Sequence, residues 1–349
     1  MSAPLLYPAE WDQHEATWLG WPHNVTDWPG KFSPIPWVFG EMARHISAGE
    51  NLHLIVKDAK HEASVRRILD ATGVASSRVR FFRWRTNRGW TRDFGPMFAR
   101  TGGKKKGLTI LDYKFNAWAK YPDWQLDNGI AAKAAKKLDL SLTPVTHKGT
   151  SVVLEGGGID VNGRGTLLTT EECFMDQEVQ CRNPGFSKED WGRVFAKYFG
   201  VSNVLWFGKG IAGDDTHGHV DDLCRFVNSK TIVLVRETNP AEANYRPLEE
   251  NWERVSDMRL EDGSKLNSIA LPMPGPLHFR GQRLPASYAN FYICNAAVLV
   301  PTFNDAKDRE ALGILSELFT DRPVIGIHAV DLVWGLGTLH CLTREQPSP

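Results

Sequence analysis

The sequence of 349 residues has no charge excess, because 41 Lys+Arg stand against 41 Asp+Glu. Proteins that neutralise nucleic-acid phosphates or cling to anionic membranes carry a basic surplus. The longest basic run here is Lys104-Lys105-Lys106, so neither nucleic acid nor a membrane surface is expected as a partner. Long hydrophobic runs are missing too. No stretch approaches the ~20 apolar residues of a bilayer span, and Met1 to Tyr7 lacks the basic-then-apolar order of a secretory leader. The five cysteines, Cys173, Cys181, Cys224, Cys294 and Cys341, are odd in number and never spaced Cys-x-x-Cys. That excludes a disulfide framework and a zinc ribbon. These absences predict a cytoplasmic protein in a reducing compartment. No linker rich in Pro, Gly or Ser divides the chain, so one domain over residues 1–349 is expected.

The chain does hold an ordinary globular balance of 42% hydrophobic and 23% charged residues, with 13 tryptophans. It also holds a weak repeat. Five short apolar stretches each precede a turn signal: Ala16 to Leu19 before Pro22-His23-Asn24, Pro96 to Phe98 before Gly102-Gly103, Gly158 to Val161 before Asn162-Gly163, Arg225 to Val227 before Asn228-Ser229, and Phe291 to Ile293 before Asn295. Each reads as a β-hairpin. Their mean spacing is roughly 68 residues, so five units fill the chain. Between hairpins lies an amphipathic helix and then an apolar strand. Ser187 to Asp190 forms a capping-box pattern ahead of Trp191, Val194, Phe195 and Tyr198, with Gly200 as the stop and Val204 to Phe207 as the strand. Helices are likewise expected over Pro36–Ala48, Lys60–Thr72 and Ile130–Leu138, after Pro247, and after Asn304 or Asp305. The pattern predicts an α+β fold of ββαβ units closed into a five-bladed propeller with pseudo-five-fold symmetry. A doubly wound sheet is the alternative, since it shows similar alternation.

Reactive residues recur at one phase of these units, before or within the first strand of a hairpin: Asp93, Glu155, His219 with Asp221, and Cys341. Equivalent positions of a ring lie at the same end of its axis, so these side chains are expected to converge. Asp93 follows Trp90 and suits a pocket for a cation. Glu155 leads Gly156-Gly157-Gly158, where backbone can approach closely; the order fits neither a phosphate loop nor a dinucleotide fingerprint. In the run Asp214 to Asp222, His217, His219 and Asp221 resemble a zinc-ligand string, but a histidine is missing after Asp221. The other reading places His219 and Asp221 on one strand face as general acid/base and binding carboxylate. Cys341 follows Gly335 and Gly337 and becomes a nucleophile if a basic histidine lies nearby.

These residues resemble the agmatine deiminases and the bacterial, Porphyromonas-type peptidylarginine deiminases, guanidino-group-modifying enzymes of the pentein fold. The resemblance runs from Pro8-Ala9-Glu10-Trp11 through Trp90 to Pro96, Phe115-Asn116-Ala117-Trp118, Leu154 to Gly157 and Gly218-His219-Val220-Asp221 to Leu339-His340-Cys341-Leu342-Thr343. It implies that Cys341 attacks the guanidino carbon, and that Asp93 and Asp221 grip the guanidinium, bidentately, beside Trp90. It further implies that His219, supported by Glu155, moves protons through an S-alkylthiouronium intermediate. No metal or other cofactor is implied, and the partner is a small cationic guanidino substrate; homo-oligomerisation stays open. Agmatine, giving N-carbamoylputrescine and ammonia on the way to putrescine, is the expected substrate. Peptidyl-arginine, giving citrulline, is the alternative, with a zinc hydrolase built on His217, His219 and Asp221 more remote. The chain departs from the agmatine deiminase pattern at Leu336, Thr338, Arg344 and Glu345 around the cysteine, and at His217, where an asparagine is usual.

Overall fold

A computed structural model describes residues 5–102 and 107–349; the Lys104 to Lys106 run lies outside them. Five sheets of three or four strands carry the architecture, joined by short helices. Four sheets follow one rule, in which an antiparallel hairpin is followed by a helix and then by a strand parallel to the hairpin's second strand. The pairs are Met97–Thr101 with Gly107–Asp112, Asp160–Val161 with Thr166–Thr170, Cys224–Asn228 with Thr231–Arg236, and Tyr292–Ile293 with Val298–Thr302. The parallel third strands are Ser141–Pro144, Asn203–Phe207, Asn267–Pro272 and Val324–His328. This is the ββαβ unit expected from the repeat.

The fifth unit corrects the expectation. His14–Gly20 does not form a hairpin with the segment after Pro22; its antiparallel neighbour is Thr343–Pro347. Its parallel neighbour is Asn51–Val56, and Val79–Arg83 extends the sheet. The two ends of the chain thus complete one sheet. The helices fall where periodicity placed them, at Ile35–Ile46, Ala59–Ala71, Ile130–Leu138 and Lys188–Phe199. Ser187 and Asp190 make the reciprocal capping box, satisfying two backbone N–H groups at the helix start. The helix expected after Pro247 begins earlier, at Tyr245, and the one expected after Asn304 or Asp305 begins at Asp308.

Four of the five units send a charge from near their inner strands to a common buried network. Arg92 binds Glu10 and Glu345 at 3.0 and 2.7 Å, Arg225 binds Glu10 and Asp160 at 2.8 and 3.0 Å, and Arg344 binds Glu345 at 3.1 Å. Such a network adds little net stability over an apolar core, but losing one partner strands a buried charge at a cost of about 3–5 kcal/mol. It therefore fixes the register of the units around the candidate site.

Candidate active site

Four short helical turns, each just ahead of an inner strand, present the reactive residues: Thr91–Phe94, Gly156–Gly158, Val220–Asp222 and Leu339–Leu342. Asp93, Asp221 and Cys341 ride on these turns, and Glu155 and His219 immediately precede them. The strand placement expected for His219 with Asp221, and for Cys341, is replaced by these turns. The turns still bring the side chains together. A Cβ placed on Gly157 would lie 2.5 Å from His219 Nδ1 and 3.0 Å from both Asp221 Oδ2 and Asp93 Oδ1. Glycine here is what lets three units meet.

The site opens into a cavity of about 250 Å³, at the small end for a ligand pocket. Trp90, Asp93, Trp118 and Cys341 line it together with Asp27, Arg88, Tyr121, Asp215, Trp334 and Leu336. Trp90 packs against Trp28, with ring centroids 5.3 Å apart.

Each carboxylate has its own environment. Asp93 accepts from Gly157 N and Trp118 Nε1, both at 2.8 Å. Burial raises its pKa, and Asp221 and Glu155 add to the rise against the opposing His219. Asp221 Oδ2 lies 2.7 Å from His340 Nδ1 and 3.5 Å from Cys341 Sγ, while its Oδ1 has no partner. Its Oδ1 is thus wholly free, and Oδ2 keeps acceptor capacity beyond the His340 contact. Glu155 accepts from Arg182 Nε at 3.2 and 3.3 Å; burial opposes its charge, but Arg182 and His219 hold its pKa below the usual value.

His219 sits 3.6 Å from Glu155 and 4.0 Å from Asp93. Burial disfavours its charge, yet Asp93, Cys173 and Glu155 together lift its pKa well above the usual imidazole value. Its backbone N–H donates to Asp214 at 3.0 Å. Burial, reinforced by Asp221, Asp222 and Asp93, pushes the Cys341 thiol well up. Asn290 Nδ2 donates to Cys341 Sγ at 3.0 Å, and Asn290 Oδ1 accepts from Thr338 Oγ1 and His340 N at 2.7 and 3.1 Å. An imidazole and a thiol held among carboxylates can exchange protons around a bound cation.

The zinc arrangement does not form. His217 Nε2 is bonded to Asp176 Oδ2 at 2.8 Å, and Asp221 Oδ2 is occupied by His340. Among the described residues, the candidate ligand groups are Glu155–Cys173–His219 and Asp221–Asp222–Cys341, neither of which includes His217. Two departures noted in the sequence fall on left-handed backbone. His217 and Leu336 have φ of 64° and 69°, a conformation that favours glycine or asparagine, so the usual residue is the less strained one at each and the structure does not explain the departure.

Sequence reasoning missed the roles of Trp118, Arg182, Asn290 and His340. Trp118 sits within three successive left-handed residues, Ala117 to Ala119, a strained conformation that clusters at functional sites. Asn290 occupies, ahead of Tyr292–Ile293, the place that the helical turns occupy in the other four units, which the repeat phase could have located.

Residues 6–347 match the model of the Porphyromonas-type peptidyl-arginine deiminase family. The chain belongs to this family. Among its relatives, the agmatine deiminase of Medicago truncatula is 33% identical over 98% of this chain and 96% of its own. The solved agmatine deiminase of Enterococcus faecalis superposes with a TM-score of 0.88 at 27% identity, covering 99% of this chain and 98% of the other. A Cys→Ser variant of the C. jejuni agmatine deiminase, solved with substrate bound, gives 0.86 at 29% identity, covering 99% and 96%. The pentein fold and hydrolysis at a guanidino C–N bond, the activity of the deiminase family, follow. No helix among the described residues is long and apolar enough to cross a membrane.

Proposed function

We propose that this deiminase, one pentein domain over residues 1–349, converts agmatine and water to N-carbamoylputrescine and ammonia in the cytoplasm. The observation that carries the reading is that Cys341 and Asp93 line the cavity, with Asp221 3.5 Å from Cys341, Asp93 and His219 meeting Asp221 at Gly157, and Glu155 3.6 Å from His219. Asp93 and the free Oδ1 of Asp221 accept charge-assisted bonds from the guanidinium, and Trp90 and Trp118 wall its plane. The bound cation reverses the field that keeps the thiol protonated. The Cys341 proton passes to water in the cavity, Sγ bonds to the guanidino carbon, and the C–N bond breaks as the His219 imidazolium protonates the departing ammonia. His219, now neutral, takes a proton from water; hydroxide adds to the S-alkylthiouronium carbon, and the C–S bond breaks as the added hydroxyl gives up its proton to the departing sulfur, which releases the ureido product and restores the thiol.

Peptidyl-arginine stays as a second reading because of the cavity mouth. An acid there for the distal ammonium of agmatine is Asp215, and it is already paired with Lys120 and accepts from Tyr121 Oη at 2.7 Å. The cation among the described lining residues, Arg88, is held by Asp27 and Asp123 at 2.6 and 3.0 Å, so none of them is free for the carboxylate of arginine. Ureido-product formation from agmatine, arginine and an arginine-containing peptide decides. Agmatine is expected to have the highest kcat/KM, and a peptide that outpaces it moves the chain to the second reading.

Asp93 provides a further check. Trp118→Phe removes one N–H donor from its carboxylate and leaves Gly157 N in place. A charged hydrogen bond of this kind is worth about 1.5–3 kcal/mol, so KM should rise about tenfold or more, with a smaller change in kcat. An unchanged KM in steady-state kinetics would remove Trp118 from the binding site.

A further inference from the structure

His340 lies one residue before the nucleophile and points away from the cavity, into the charge network. Its Nδ1 is 2.7 Å from Asp221 Oδ2 and its Nε2 is 2.7 Å from Glu10 Oε2. Carboxylates accept hydrogen bonds and do not donate them, so two short contacts from one ring to two carboxylates place a proton on each ring nitrogen. Glu10 is anchored in turn by Arg92 and Arg225 at 3.0 and 2.8 Å, and Arg92 Nε also donates to the His340 carbonyl at 3.1 Å. The ring is thus held from behind by a rigid network and reaches forward to one oxygen of Asp221.

We propose that His340 is a positioning residue of the reaction, an imidazolium clamped between Glu10 and Asp221 that fixes Asp221, leaves its Oδ1 for the guanidinium and offsets its charge beside Cys341. The inference rests on Cys341 as nucleophile. Asp221 lies 3.5 Å from the thiol, and Asp222 and Asp93 also disfavour its ionisation; burial holds Asp222 well above the usual carboxyl value, and His219 lies 4.0 Å from Asp93. Without a cation on Asp221, the thiolate would form beside an uncompensated carboxylate. A glutamine in place of His340 cannot reproduce the clamp, because one end of its amide presents an oxygen to a carboxylate and the side chain carries no charge.

The test uses His340→Gln and a readout that needs no substrate, the rate at which iodoacetamide alkylates Cys341, mapped by mass spectrometry across pH. At fixed pH the variant should react about tenfold more slowly, the change in thiolate fraction for one pH unit. Its kcat/KM should fall about 100-fold, the loss that a misplacement near 1 Å produces. A folded variant with an unchanged alkylation profile would overturn the proposal. In the wild type, ¹⁵N NMR of the imidazoles should show two bonded ring protons on His340 at neutral pH. A single ring proton there would overturn it without any variant. Failure of the underlying reading is separate, since it appears as activity that survives the loss of Cys341.

Discussion

Cys341→Ala is expected to lose about 10⁵–10⁶-fold in kcat while keeping the fold, the scale on which removal of a covalent nucleophile acts. The side chain is small and buried, so its loss leaves only a slight void, and no other cysteine is among the described residues that line the cavity. The chemistry makes a further prediction about the wild type. Burial and the surrounding carboxylates keep the thiol neutral in the empty site, and the thiolate is the reactive form. A neutral reagent should therefore react slowly at neutral pH and faster as the pH climbs toward the raised thiol value. A cationic haloacetamidine occupies the guanidinium position, brings its own positive charge between Asp93 and Asp221, and should react far faster at pH 7. Modification must be mapped to the residue, because Cys181 is partly exposed whereas Cys173, Cys224 and Cys294 are buried. Equal rates for the two reagents would contradict substrate-assisted ionisation, and turnover surviving in the alanine variant would contradict the nucleophile.

What was legible in the sequence follows the range of each signal. Hairpins, capping box and amphipathic helices are local, and Ser187 to Gly200 could be read almost to the residue. The first hairpin could not, because His14–Gly20 pairs with Thr343–Pro347 and nothing near either segment marks a partner at the other end of the chain. The phase of the repeat placed Asp93, Glu155, His219, Asp221 and Cys341 correctly in the units, and the structure brings them together. The short helical turns that carry them were invisible, since three or four residues hold no period. Asn290, Arg182 and His340 were missed for another reason. Their value lies in what they touch, and an asparagine or arginine in a polar loop looks the same whether it faces water or a thiol.

Gly157→Ala is expected to disable the enzyme through three contacts at once. The glycine does not use left-handed backbone, because it is absent from the positive-φ residues, so the chain itself accepts an alanine. The objection comes from the site. The new methyl group would meet His219 Nδ1 at 2.5 Å and the carboxylate oxygens of Asp93 and Asp221 at 3.0 Å. Asp93 is pinned by Trp118 and Asp221 by His340, so neither carboxylate can yield without leaving a buried polar partner, and the His219 ring is fully buried with Glu155 3.6 Å away. Overpacking should cost about 1–3 kcal/mol of stability, whereas displacing the acid/base and both binding carboxylates together should lower kcat/KM by about 10³-fold, more than a single misplacement near 1 Å. Gly158→Ala separates the two effects. Its Cβ would meet the Phe174 ring at 3.1 Å and Cys173 Sγ at 3.5 Å, so it should lower the thermal midpoint comparably and keep kcat/KM within about tenfold, the small loss expected when the reacting groups stay in place. Equal activity losses in the two variants would mean that the damage comes from the crowded turn as a whole, and that convergence at Gly157 is not what the chemistry depends on.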